Sequence, residues 1–166
     1  PPQLGSGAPG FGVLFQTGAL FGSMTLGQNV ALPLETWTDL SREDIAEVVR
    51  SKLRLVGLGG FENHLPAELS GGMKKRAGIA RALALDPPLV FLDEPSAGLD
   101  PITSAELDEL ILTLSHSLGM TLVIVTHELA SIFAIGQRAV MLDREARGMI
   151  ALGDPRTDGG GSDGAG

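Results

Sequence analysis

The chain has 166 residues, 43% of them apolar, enough for one domain with a hydrophobic core. Its net charge of −8 argues against a nucleic-acid binder, which would carry a basic patch or domain. The absence of cysteine excludes disulfides and thiolate metal sites and fits a reducing compartment, and no apolar run approaches the ~20 residues that cross a bilayer.

Residues 1–10, "PPQLGSGAPG", are Pro/Gly-rich and patternless, so they read as disordered or as a remnant; they lack the basic flank and apolar core of a signal peptide. "FGVLFQ" (11–16) is a short apolar strand that ends on a polar residue. From Thr25 to about Leu58 the pattern is mainly helical. Ser41, followed by Glu43 and Asp44, caps a helix whose apolar positions Ile45, Val48, Val49, Leu53 and Val56 recur at helical spacing. Gly57, Gly59 and Gly60 end it. A further helix runs from Ser70 to about Leu85 and stops before Asp86-Pro87-Pro88. The pattern then changes: "LVFL" (89–92) and "TLVIV" (121–125) are short continuous apolar runs, as expected of parallel strands buried on both faces. Between them Pro101 opens an amphipathic helix with Leu107, Leu110, Ile111 and Leu114, so strand, helix and strand make a βαβ unit. "AVMLD" (139–143) and "GMIAL" (148–152) are two more strand candidates. The Gly/Ser-rich tail, 154–166, has no means of packing a core and reads as flexible.

The chemistry sits at strand ends and at one helix start. Asp93 and Glu94 follow the run 89–92, and His127 follows the run 121–125; ligands of an open parallel sheet bind at the carboxyl ends of its strands. An Asp there can hold a hard cation, and a Glu beside it can polarise a water. Taken singly, each has a plainer reading: a solvated strand end before Pro95, and a capping or core histidine. "LSGGMKKR" (69–76) sets Ser70, Gly71 and Gly72 at a helix N-terminus, where unpaired N–H groups and the helix dipole suit a phosphate; an ordinary N-cap is the alternative. Lys74, Lys75, Arg76 and Arg81 read mostly as a solvated helix face. Trp37 fits either the core or a partner contact, and His64 and His116 fit surface or capping positions.

Order and spacing carry more than any single residue. "FQTGALFGSMTLGQNV", "LSGGMKKRAGIARALALDPPLVFLDEPSAGLDP" and "VIVTHEL" together resemble the nucleotide-binding subunit of ATP-binding-cassette (ABC) transporters, over roughly residues 11–153. The resemblance implies an α/β fold: a P-loop NTPase (RecA-like) parallel sheet core, about 86–153, with an inserted helical subdomain, about 22–85. It implies a Q-loop at Gln16, the family signature at Leu69 to Met73, Walker B at Leu89 to Glu94, a D-loop at Ala97 to Asp100 and a switch histidine at His127. By the same resemblance Asp93, with Gln16, organises Mg²⁺, Glu94 is the catalytic base and His127 contacts the γ-phosphate of ATP. Gln16 links the site to a membrane partner, and Asp100 crosses a dimer interface. Ser70, Gly71 and Gly72 face a γ-phosphate held by another chain. The implied partners are a second ABC ATPase subunit and an integral membrane permease, with the chain peripheral on the cytoplasmic face of the inner membrane. Met73, with "LFQTGALFGSMTLGQNVALPL" and "THELASIFAIGQRAVMLD", resembles the Mla/MCE-associated branch, which moves phospholipid or other lipids across the bacterial envelope and adds an MCE-type lipid-binding subunit as partner.

One motif of that family is not in the sequence. The phosphate loop G-x-x-x-x-G-K-[ST] needs a Lys after Gly, and the only lysines are Lys52, Lys74 and Lys75, none of which follows a glycine. "GSGAPGFG" (5–12) has glycines without the cation or hydroxyl. The expectation is an N-terminally incomplete cassette, the strand feeding the phosphate loop belonging between 121–125 and 139–143. Loss of a strand there would expose an apolar edge and leave the isolated chain poorly soluble or partly molten. The alternative is a non-catalytic module that lends its signature to a partner's ATP site. A third reading, a soluble ABC protein of DNA repair or translation, is disfavoured by the acidic charge.

Overall fold

Four helices of this chain begin with the same device. In a computed structural model, which describes residues 7–157, Thr25, Ser41, Ser70 and Asp100 each turn a side-chain oxygen back onto an N–H of the first helical turn. The helices they start are α1 (Leu26–Trp37), α2 (Arg42–Leu55), α3 (Gly71–Ala82) and α4 (Pro101–Leu118). At α1 the cap is reciprocal, because the Gln28 side chain also accepts the Thr25 N–H. The strands are β1 (Phe11–Leu14), β2 (Leu89–Asp93) and β3 (Thr121–Val125), followed by helix α5 (Leu129–Ile135) and strands β4 (Ala139–Asp143) and β5 (Gly148–Gly153). Residues 1–6 and 158–166, which fall in the ends read above as patternless and flexible, lie outside the described residues.

The described residues up to Val125 form one compact unit, and those from Thr126 onward form a second. In the first, β1, β2 and β3 make a parallel sheet with β2 in the centre, Leu14 opposite Leu92 and Asp93 opposite Val125. Leu14, Val90 and Leu92 are fully buried on one face of it. Ile79 and Leu83 of the α3 segment meet Ile111 and Leu114 of α4 over Val90, Leu92 and Leu122. Leu26, Val30 and Leu34, a turn apart along α1, and Ile45, Val49 and Leu53 along α2 complete the core of this unit. Gly12 lets α3 reach the sheet: a Cβ there would stand 2.2 Å from the Ala82 carbonyl oxygen.

The strands are not buried on both faces, as the continuous apolar runs predict. Phe11, Phe91, Val123 and Val125 stay exposed on the face opposite α3 and α4, with Phe11 and Phe91 edge-to-face at 5.9 Å. An apolar run marks a face as able to be covered; whether it is covered depends on a second layer. In the second unit β4 and β5 pair antiparallel, with an irregularity between Met141 and Leu142, so the parallel run of strands ends at β3.

Candidate functional site

The carboxyl end of the parallel sheet collects most of the residues singled out by sequence. Gln16 stands two residues beyond β1, and its side chain is exposed. Asp93 closes β2 in register with Val125 and is exposed as well. Glu94 follows in a left-handed conformation, φ +46°, that an L-residue adopts only under constraint. Its N–H donates to the Val125 carbonyl at 2.8 Å, and its own carbonyl accepts the Ala97 N–H at 3.2 Å. That backbone twist carries the chain off the sheet edge at the point where the two carboxylates sit.

A third group holds this rim, and the sequence reading misplaced it. Lys75 is not on a solvated face: it is 6% exposed, and its ammonium donates to the carbonyl oxygens of both Glu94, at 2.9 Å, and Gln16. Arg81 departs from that reading too. Its guanidinium donates to the Ala19 carbonyl at 2.7 Å, and burial pushes its pKa down. Arg76 is only partly wet, donating to the Val56 carbonyl at 3.4 Å and lying 3.5 Å from Glu106. The physical reason is that α3 is buried on most of its circumference, through Gly72, Ala77, Gly78, Ile79, Ala80 and Ala82. The available signal was helical spacing, since Lys75 falls in one stripe with Gly72, Ile79 and Ala82.

A second group forms where α3 and α4 begin. Ser70 caps α3 by accepting the Met73 N–H at 3.2 Å, and Ser70 and Gly71 remain exposed. Gly72 is buried against α4: a Cβ there would lie 2.6 Å from Thr103 Cγ2. Asp100 caps α4, one carboxylate oxygen accepting the Ile102 and Thr103 N–H groups and the other the Thr103 hydroxyl at 2.6 Å. The hydroxyl first, and then the Thr103 amide, hold the Asp100 carboxyl below its usual range. The structure thus gathers Gln16, Asp93 and Glu94 around Lys75, and Ser70, Gly71 and Gly72 beside the start of α4. His127 opens the second unit two residues after β3 and is exposed. Of the other two histidines, His64 packs on Phe61 at 4.8 Å with its Nδ1 buried, and His116 stands in the last turn of α4.

An exposed Asp carboxylate and an exposed amide on neighbouring strand ends suit Mg²⁺, which takes few protein ligands and fills the rest of its octahedron with water and phosphate oxygens. A closed all-protein metal cage is a different matter: among the described residues no three His, Cys, Asp or Glu side chains converge. Among the described residues no helix is long and apolar enough to cross a membrane.

Comparison with known proteins shows the family and the fold. Residues 5–97 match the profile of the ABC transporter family. The chain is 54% identical over 117 residues to the probable ribonucleotide transport ATP-binding protein mkl of Mycobacterium leprae (strain TN), covering 70% of this chain and 34% of that protein. It is 42% identical over 151 residues to the intermembrane phospholipid transport system ATP-binding protein MlaF of Escherichia coli (strain K12), covering 87% of this chain and 56% of MlaF. The chain therefore spans between a third and about half of these relatives. Among solved structures it superposes on the dimeric post-hydrolysis ATP-binding cassette MJ0796 bound to ADP and Pi, with TM-score 0.75 and 32% identity over 87% of this chain and 62% of that one. It also superposes on cbiO1 from Clostridium perfringens, part of the cbiONQ transporter, with TM-score 0.78 and 30% identity over 87% of this chain and 57% of that one. The fold is that of the α/β P-loop NTPase cassettes, and the chain belongs to the ABC transporter family.

Proposed function

We propose that the chain is part of the ATP-binding, ATP-hydrolysing subunit of an ABC transporter that moves phospholipid or a related lipid across the bacterial envelope. The observation that carries the reading is the rim at which Gln16, Asp93 and Glu94 are held together by backbone contacts at the carboxyl ends of adjacent parallel strands. The likeness to MlaF over 87% of the chain supports the lipid branch, and the likeness to ATP-binding subunits throughout disfavours a purely non-catalytic module.

Within this reading Glu94, in its left-handed backbone conformation just beyond β2, takes a proton from the attacking water. Asp93 and Gln16 hold Mg²⁺, which when bound neutralises charge on the β- and γ-phosphate oxygens. His127 donates a hydrogen bond to the γ-phosphate. The exposed start of α3, Ser70 with Gly71 and Gly72, offers N–H groups and a helix dipole to ATP held by a second cassette subunit. Asp100, at the neighbouring helix start, stands on the same dimer interface. Gln16 transmits the state of the site to an integral membrane permease, and an MCE-type lipid-binding subunit completes the transporter. The subunit is peripheral, on the cytoplasmic face of the inner membrane.

The test uses the assembled transporter in proteoliposomes. Glu94→Gln is expected to lower ATP turnover ~10²- to 10⁴-fold, the range of a general base, with ATP still bound. Wild-type turnover in that variant would overturn the assignment of Glu94. Transfer of labelled phospholipid, set against a labelled ribonucleotide, decides the substrate: ATP-dependent movement of the ribonucleotide alone rejects the lipid reading.

A further inference from the structure

Three segments that are far apart in the chain meet on one buried ammonium. Lys75 projects from the second turn of α3 and donates to the Gln16 carbonyl, beyond β1, and to the Glu94 carbonyl, beyond β2. It is 6% exposed, so bulk water does not compete for the ammonium. A charged donor in a low-dielectric site holds a carbonyl dipole more firmly than a neutral one does. The Glu94 carbonyl is a consequential one to hold. At φ +46° the residue is off its preferred backbone region, and the bonds on its backbone there include the Glu94 N–H on Val125, the Ala97 N–H on the Glu94 carbonyl, and Lys75.

We propose that Lys75 is a positioning residue that couples the Gln16 loop to Glu94: its ammonium clamps both main-chain carbonyls, so a displacement of one loop changes the orientation of the other. The inference rests on the roles proposed above for Gln16 and Glu94. Lys75 acts through those two residues, by way of the main-chain carbonyls it holds. A lysine suits this place because a compact ammonium with three donors can serve two carbonyls that approach from different strand ends.

Hydrogen exchange on the intact subunit tests the clamp without relying on catalysis. Two amides report on the two loops: Gly18 N–H, bonded to the Phe15 carbonyl, and Ala97 N–H, bonded to the Glu94 carbonyl. In Lys75→Met, which keeps the apolar stem and removes the charge, both are expected to exchange roughly tenfold faster or more, while amides in the later turns of α3, such as Ala80 and Leu83, keep their protection. Lys75→Gln retains a neutral donor and serves as the second variant should Lys75→Met fail to fold; it is expected to loosen both loops by a smaller factor. Unchanged exchange at both loops, loosening of only one, or uniform loosening along α3 would each overturn the coupling. In the assembled transporter Lys75→Met is expected to lower kcat about tenfold or more with KM for ATP within about threefold; a change confined to KM contradicts a role in orienting Glu94. If Glu94→Gln retained turnover, the catalytic reading would fall, while the exchange result would still decide the clamp.

Discussion

Gly72 illustrates how packing can demand a glycine inside a helix. Alanine is ordinarily better than glycine within a helix by roughly 1 kcal/mol. Here the added Cβ meets Thr103 Cγ2 at 2.6 Å, and Thr103 cannot simply rotate away because its hydroxyl is bonded to Asp100. The clash wins, so Gly72→Ala is expected to lose about 1–3 kcal/mol by urea unfolding. In a Thr103→Ser background, which removes the methyl and keeps the hydroxyl, the same change is expected to be neutral or stabilising. An equal loss in both backgrounds rejects the packing explanation. Asp100 makes a pH-dependent statement at the same place. Its folded-state pKa is depressed, so its stabilisation is present above the unfolded value of about 3.9 and fades as pH falls through the lower, folded value. Asp100→Ala is therefore expected to lower Tm at pH 7, with a deficit that shrinks progressively below about pH 4; a constant deficit between pH 7 and pH 3 contradicts it.

At the scale of elements, α2 and the turn before β2 are tied by one ion pair. Lys52, 8% exposed, donates to Asp86, which holds a left-handed turn at φ +51° and is about half exposed. A fully buried pair loses 3–5 kcal/mol when one partner is removed, but water reaches Asp86, so Asp86→Ala is expected to cost about 1–3 kcal/mol. Asp86→Asn, which keeps an acceptor and tolerates the left-handed turn, is expected to cost less; equal losses on urea unfolding would show that the acceptor is immaterial. The order of elements was legible in the sequence because its signals are local. Ser41 and Ser70 announce helix starts, Gly57 an end, and the runs 89–92 and 121–125 the strands, and all of these recur within a few residues of the observed bounds. What was not legible is tertiary. A lysine within a run of Lys74, Lys75 and Arg76 looks solvated until the stripe it shares with Ile79 is known to be buried. An apolar strand looks doubly covered until the number of layers is known. At the site, residue order points to Gln16, Asp93, Glu94 and Ser70 to Gly72 as candidates, whereas the helical stripe of Lys75 signals its burial and only the structure shows the two carbonyls it holds.

For the molecule as a whole, the open face of the parallel sheet dominates solution behaviour. Phe11, Phe91, Val123 and Val125 are between 38% and 58% exposed and lie side by side on three paired strands, with β3 presenting one sheet edge. The hairpin of the second unit adds Val140, Met141, Leu142, Met149, Ile150 and Leu152, each at least half exposed. Contiguous exposed apolar surface promotes association between chains, because it removes apolar area from water. The net charge of −8 opposes this, but salt screens it beyond about 10 Å at 0.1 M, while contact between apolar faces is short-ranged and survives. The 166-residue chain on its own is therefore expected to self-associate with rising concentration and more readily in salt, as read by light scattering, and to bind a hydrophobic dye. Val123→Thr with Val125→Lys alters the exposed face and leaves Leu14, Val90 and Leu92 beneath it untouched, so it is expected to reduce association without lowering Tm. A monodisperse wild-type chain that shows no dye binding at high salt would mean that this face is already covered in solution.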